Sequence, residues 1–129
     1  MTAKSMLIAG SVFMALAVGF GAFGAHIVEG MLTPDRFDVY QTAVQYHFYH
    51  ALGLLIIGAI THHLEETAWL RWSGILLTAG IIIFSGSLYL LTLTDTGWLG
   101  AITPIGGAAF IGGWGCLAVA VTKNTAPSE

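Results

Sequence analysis

Most of the chemical potential of this sequence lies in a few histidines and hydroxyl side chains embedded in apolar stretches. His26 closes the first stretch, Tyr46, His47 and His50 stand in the second, Ser85, Ser87 and Tyr89 in the third, and Thr103 opens the fourth. Imidazole can relay a proton, donate a hydrogen bond or bind a metal near neutral pH. In hydrocarbon such groups are costly unless they pair or reach water, so each carries a functional expectation. His47 and His50, three residues apart, could share a metal or a haem, yet no carboxylate or thiolate stands near them in the sequence. His62 and His63 differ, because they adjoin Glu65 and Glu66 at the end of a stretch, where solvent and a helix C-terminus account for them.

Other chemistries lack residues. No nucleophile elbow, phosphate-cradling loop or paired acid and base occurs, so the sequence predicts a protein that is not an enzyme. Cys116 is the single cysteine, which excludes an internal disulfide and the usual zinc spacings. A net charge of -3 with no basic run excludes a nucleic-acid partner.

The elements that must position these residues follow from composition. With 56 % hydrophobic and 9 % charged residues, the chain has too little polar surface to wrap a soluble core. The charges cluster between apolar stretches of about 20 residues, the length that crosses roughly 30 Å of hydrocarbon as a helix. The expected fold is all-α: a polytopic membrane protein, an antiparallel bundle of four transmembrane helices forming a single domain over 1–129. Spans are expected at about 5–25, 43–61, 68–92 and 99–121, the second preceded by an interfacial helix start at about 34–42. Thr33-Pro34 and Thr103-Pro104 each set a capping hydroxyl before a proline, the pattern of a helix start. The first stretch, with Lys4 before it and Ala22-Phe23-Gly24 as a small-x-small site, also has features of a secretory signal, but its apolar run is longer than a signal core.

Orientation follows from the cations. With both termini cytoplasmic, Lys4, Arg71 and Lys123 lie inside and Arg36 outside, the arrangement the positive-inside rule favours. Trp69 and Trp72 then mark the inner interface and Trp98 the outer one. The expected location is the inner (plasma) membrane, with the lipid bilayer as the first partner.

Helical phase separates buried from lipid-facing sides. At about 100° per residue, Ser11, Ala15, Gly19, Ala22 and His26 share one face of the first helix. A stripe of small residues permits close helix approach, so this face is expected to turn inward and carry His26 with it. On the third helix Arg71, Gly74, Thr78, Ser85, Tyr89 and Thr92 share a face. Tight packing is expected at Gly53 and Gly86, and along Ala108, Gly112 and Cys116 with Gly113 beside them. Depth then brings His26, Tyr46, His50, Ser85 and Tyr89 together in the outer half, with His47, Ser87 and Thr103 at the same level. Such a cluster could be an interhelical hydrogen-bond network, a pocket for a lipid or small molecule, or a metal or haem site.

The residues Gly21-Ala22-Phe23-Gly24-Ala25-His26, Tyr46 with His50, Phe84-Ser85-Gly86-Ser87-Leu88-Tyr89 and Thr103-Pro104-Ile105-Gly106-Gly107 occur in order along nearly the whole chain. Together they resemble the signatures of a family of small bacterial inner-membrane proteins, domain of unknown function DUF423. The resemblance implies a four-span membrane protein without an established activity. Small size and the lack of soluble domains favour an accessory or assembly component of a larger membrane complex, with an outward-facing polar pocket for a lipid or quinone-like ligand. The alternatives are a small oligomeric transporter or channel using His26 and His50, and then a haem or metal protein.

Overall fold

The computed structural model describes residues 1–124. Its helices long and apolar enough to cross a membrane are Ala3–His26, Pro34–Thr61, Ala68–Thr94 and Gly97–Thr122. α1 (Ala3–His26) starts at Thr2, which forms a capping box with Ser5. A short 3-10 turn, Val28–Gly30, leads to α2 (Pro34–Thr61), where the Thr33 hydroxyl accepts the Arg36 N–H at 3.3 Å and Pro34 takes the first turn. α2 is unbroken, so 34–42 are simply its first turns.

The third span is composite: α3 (Ala68–Gly80), a π-helical turn (Ile81–Ser85) and α4 (Gly86–Thr94). It ends at Asp95, which is left-handed at φ 54°. A 3-10 turn, Gly97–Ala101, feeds α5 (Thr103–Thr122). The start of α1, the end of α5 and the connection between α2 and α3 share one end of the bundle, the terminal end, where the Glu65 N–H donates to Asn124 Oδ1. The connections after α1 and α4 form the opposite, distal end, where the Arg36 guanidinium donates to the Thr92 carbonyl.

The expected cap at Thr103 is not formed. The preceding 3-10 turn runs straight into α5, with the Ile105 N–H bonded to the Ile102 carbonyl. The Thr103 hydroxyl instead pairs with Ser87 Oγ at 2.7 Å.

The tightest pairs are α1 with α2 and α3 with α5. Along α1 the buried positions include Gly10, Ala17 and Gly24, seven residues apart, the repeat that keeps one seam against a partner helix. A Cβ on Gly10 would meet Leu55 and the Ala51 carbonyl, and one on Gly24 would lie 2.5 Å from Tyr40 Cε1. In return Gly58 of α2 accepts Leu7 of α1. The expected inward stripe is therefore on the wrong side. Ser11, Ala15, Gly19, Ala22 and His26 are all exposed, and a Cβ on Gly19 would meet nothing within 4 Å.

α5 also turns differently from expectation. Its buried residues are Gly106, Phe110, Gly113 and Ala120, whereas Ala108 is exposed and Gly112 and Cys116 are half-buried. Gly106 sits so close to the Phe84 backbone that a Cβ would collide with it, and Gly80 takes the Phe110 ring in the same way. Gly53 and Gly113 are packing positions, against Trp114 and Leu77. Gly86 is not, for a Cβ there would have open space. On the third span Gly74, Ser85, Tyr89 and Thr92 are buried, Thr78 is half-buried, and Arg71 is exposed.

Candidate functional site

The expected single cluster divides across α2. On the α1 side, His47 is 3 % exposed and its Nδ1 lies 2.9 Å from the Tyr89 hydroxyl of α4. Tyr89 stacks on Phe20 of α1, with centroids 4.2 Å apart and planes 8° from parallel. Phe13 meets the His47 ring edge-on at 6.0 Å. Ser85 lies in the same wall, its hydroxyl donating to the Ala43 carbonyl at 2.8 Å. Tyr40 packs beside Tyr89 and donates to the Phe20 carbonyl at 2.6 Å. Every polar atom of this group has a partner except one. Among the described residues, His47 Nε2 is the only buried side-chain nitrogen or oxygen without a hydrogen bond.

On the other side of α2, His50 is spent on packing. Its ring lies on Phe110 of α5, its Nδ1 bonds the Tyr46 carbonyl one turn back at 2.8 Å, and Tyr46 is 38 % exposed beside Phe84. Ser87 and Thr103 form a separate pair between α4 and α5. His26 joins none of these, because the exposed stripe of α1 carries it outward. Among the described residues no three His, Cys, Asp or Glu side chains converge as a metal ion would require.

Beside His47 the bundle is open. α1 touches the third span near the terminal end through Met6 against Gly74, and again at the Phe20–Tyr89 stack. Between these contacts lies a cavity of about 230 Å³ lined by Phe13, Leu16, His47, Ile82, Ser85 and Gly86 among others. A second cavity, about 510 Å³, shares Phe20, Ile82, Gly86 and Tyr89 with it and continues along Leu90 to Leu99 and Ile102. The two lobes form one cleft with apolar walls, opening sideways where Ile82 and Leu90 are exposed. This differs from the outward-facing polar pocket that the sequence suggests.

Sequence reasoning missed Phe13, Phe20 and Leu16 because small residues drew the interface of α1 to its opposite face. The seven-residue spacing of Phe13 and Phe20, matching that of Gly10, Ala17 and Gly24, was the available signal. The π turn has no such mark. A further groove of about 570 Å³ between the distal halves of α1 and α2 is bordered by Gly21, Gly24, Tyr40 and Gln45, with Glu29 and Asp38 at its mouth.

A bundle of four apolar helices with polar side chains tied to neighbouring backbones defines an integral membrane protein. The chain belongs to the DUF423 family, described as protein of unknown function, whose model matches residues 20–107. It is 47 % identical over 120 residues to the UPF0382 membrane protein YwdK of Bacillus subtilis, covering 93 % of this chain and 98 % of that one. Similar proteins occur in Staphylococcus haemolyticus, at 47 %, and Staphylococcus epidermidis, at 48 %, each aligned over 93 % of this chain and 97 % of the relative. No solved structure matches.

Proposed function

We propose that this protein is a non-enzymatic accessory component of the inner membrane that takes a lipid-soluble molecule, of lipid or quinone-like class, sideways from the bilayer into the cleft between α1 and the third span. The observation that carries this reading is the cleft itself. Its larger lobe, about 510 Å³, falls within the roughly 300–1,000 Å³ usual for small-molecule sites. A void open to lipid is filled in a bilayer, and the apolar walls of this one suit a hydrocarbon tail.

The cation balance, with Lys4, Arg71 and Lys123 at one side of the bundle and Arg36 at the other, supports an orientation with both termini in the cytoplasm. A relay through His26 and His50 is disfavoured, since His26 points away from the bundle and His50 is bonded to its own helix.

Gly86→Leu tests the reading. Gly86 lines both lobes, and a side chain there meets open space, so leucine fills the cleft while leaving the helix contacts intact. Native mass spectrometry of protein extracted in mild detergent is expected to show a bound lipid-soluble molecule on the natural protein and none on Gly86→Leu. Equal occupancy in both, or none in either, overturns the proposal.

A further inference from the structure

We infer that the His47 Nε2–H group is the polar anchor of this cleft, donating a hydrogen bond to a carbonyl oxygen on the bound molecule. The inference rests on the cleft being a ligand site and adds what chemistry it selects.

The proton assignment follows from the partners. Tyr89 has one hydroxyl proton, and among the described residues the acceptor beside it is His47 Nδ1 at 2.9 Å. If Nδ1 carried the imidazole proton, the Tyr89 proton would be left in an apolar wall with nothing to accept it. Tyr89 therefore donates to Nδ1, which puts the ring proton on Nε2. That N–H has no hydrogen-bond partner and almost no accessible surface, with the Phe13 backbone beside the ring, so a bound carbonyl reaches it only where the wall at Phe13 gives way. A buried donor without an acceptor is unfavourable, and in hydrocarbon no water relieves it.

The walls around His47 decide what can approach. Phe13, Phe20, Leu16, Ile81 and Ile82 are apolar, and the Ser85 hydroxyl is already committed to Ala43. No charged side chain lines either lobe. A charged headgroup would find no counter-ion, whereas a neutral carbonyl on an apolar frame would satisfy the one idle donor and leave its tail along Leu90 and Ile102. A quinone ring and the ester of a neutral glycerolipid both present that carbonyl.

The test uses the full chain in nanodiscs with two probes, decylubiquinone and dioleoylglycerol, each carbon-13 labelled at its carbonyl. Binding is measured by titration, and the carbonyl stretch by infrared difference spectroscopy. The natural protein is expected to bind one of them with its carbonyl band shifted to lower frequency, and which one binds identifies the source of the carbonyl. His47→Phe keeps a ring in the wall but removes the donor. It should weaken binding about tenfold, the scale of one hydrogen bond, and abolish the band shift. His47→Gln, whose amide offers both a donor and an acceptor, should restore part of each. Tyr89→Phe provides a second handle should His47→Phe not fold: without the hydroxyl the imidazole proton is no longer fixed on Nε2, and the shift should diminish. Binding that is lost in Gly86→Leu but unchanged, band included, in His47→Phe and Tyr89→Phe would overturn the anchor while leaving the cleft reading standing. Failure of the natural protein to bind either probe overturns both.

Discussion

The imidazole of His50 lies flat against the ring of Phe110, with centroids 3.5 Å apart and planes 12° from parallel. This contact joins α2 to α5 at the level where Gly80 makes room for the same phenylalanine. His50 thus has the role of an aromatic packing residue, its one recorded hydrogen bond being to its own helix. His50→Phe should therefore cost less than about 1 kcal/mol, as a near volume-conserving exchange, whereas Phe110→Ala should cost on the order of 3 kcal/mol through the cavity it leaves. Thermal unfolding in detergent distinguishes them; a His50→Phe variant as unstable as Phe110→Ala would show that the imidazole nitrogens matter to the fold.

Glycine substitutions should sort by the space each site offers. Gly106→Ala pushes a methyl group into the backbone at Phe84, and Gly24→Leu drives a side chain into Tyr40. Each should lower stability by about 1–3 kcal/mol or more, since packed helices cannot part without losing their other contacts. Gly19→Leu projects into open space and should leave the unfolding temperature nearly unchanged. A destabilised Gly19→Leu would mean that the exposed face of α1 has a partner.

Two serine hydroxyls cross between helices to backbone carbonyls: Ser73 to Gly113 and Ser85 to Ala43, both at 2.8 Å. Hydrogen bonds inside membrane bundles average about 0.6 kcal/mol. Ser73→Ala and Ser85→Ala should each cost about that much, and the double variant should cost close to their sum, because the two bonds have no shared partner. Unfolding by a denaturing detergent would reveal a larger, coupled loss if the serines formed part of one network.

At the distal end, Asp95 adopts the left-handed conformation that ends α4, and its carboxylate is 3.6 Å from Arg36. The carboxylate is largely exposed, so the ion pair contributes little; the backbone conformation dominates. Asp95→Gly should be neutral within about 0.5 kcal/mol, while Asp95→Val should cost about 1–2 kcal/mol because a β-branched residue resists this region. Equal stability of the two would locate the constraint in the ion pair instead.

Reporter fusions should place both ends of the chain in the cytoplasm, since Lys4, Arg71 and Lys123 flank one face and Arg36 the other. A C-terminal fusion active only outside the cytoplasmic membrane would invert the orientation.

Composition and spacing alone set the class of this protein, the number of its spans and most of the helix starts. Apolar runs of spanning length are hard to accommodate any other way, and Thr33-Pro34 caps α2 through contacts confined to a few neighbouring residues. The sequence also singled out His47, Ser85 and Tyr89, which the fold brings into one wall. What it could not give was the face each helix turns inward. In a soluble protein a buried face is marked by polarity, but here both faces of α1 are apolar and both carry small residues, Gly10, Ala17 and Gly24 on one, Ala15, Gly19 and Ala22 on the other. Only the fit of Tyr40 and Leu55 into the first set chose between them. That choice sent His26 outward and brought Phe13 and Phe20 in. The π turn at Ile81–Ser85, where Gly106 of α5 presses on Phe84, rests likewise on a contact between segments distant in sequence. His47 and His50 stand only three residues apart in the sequence. They separated because α2 is packed on both sides, and a step of about 300° along a helix is enough to give each ring a different neighbour.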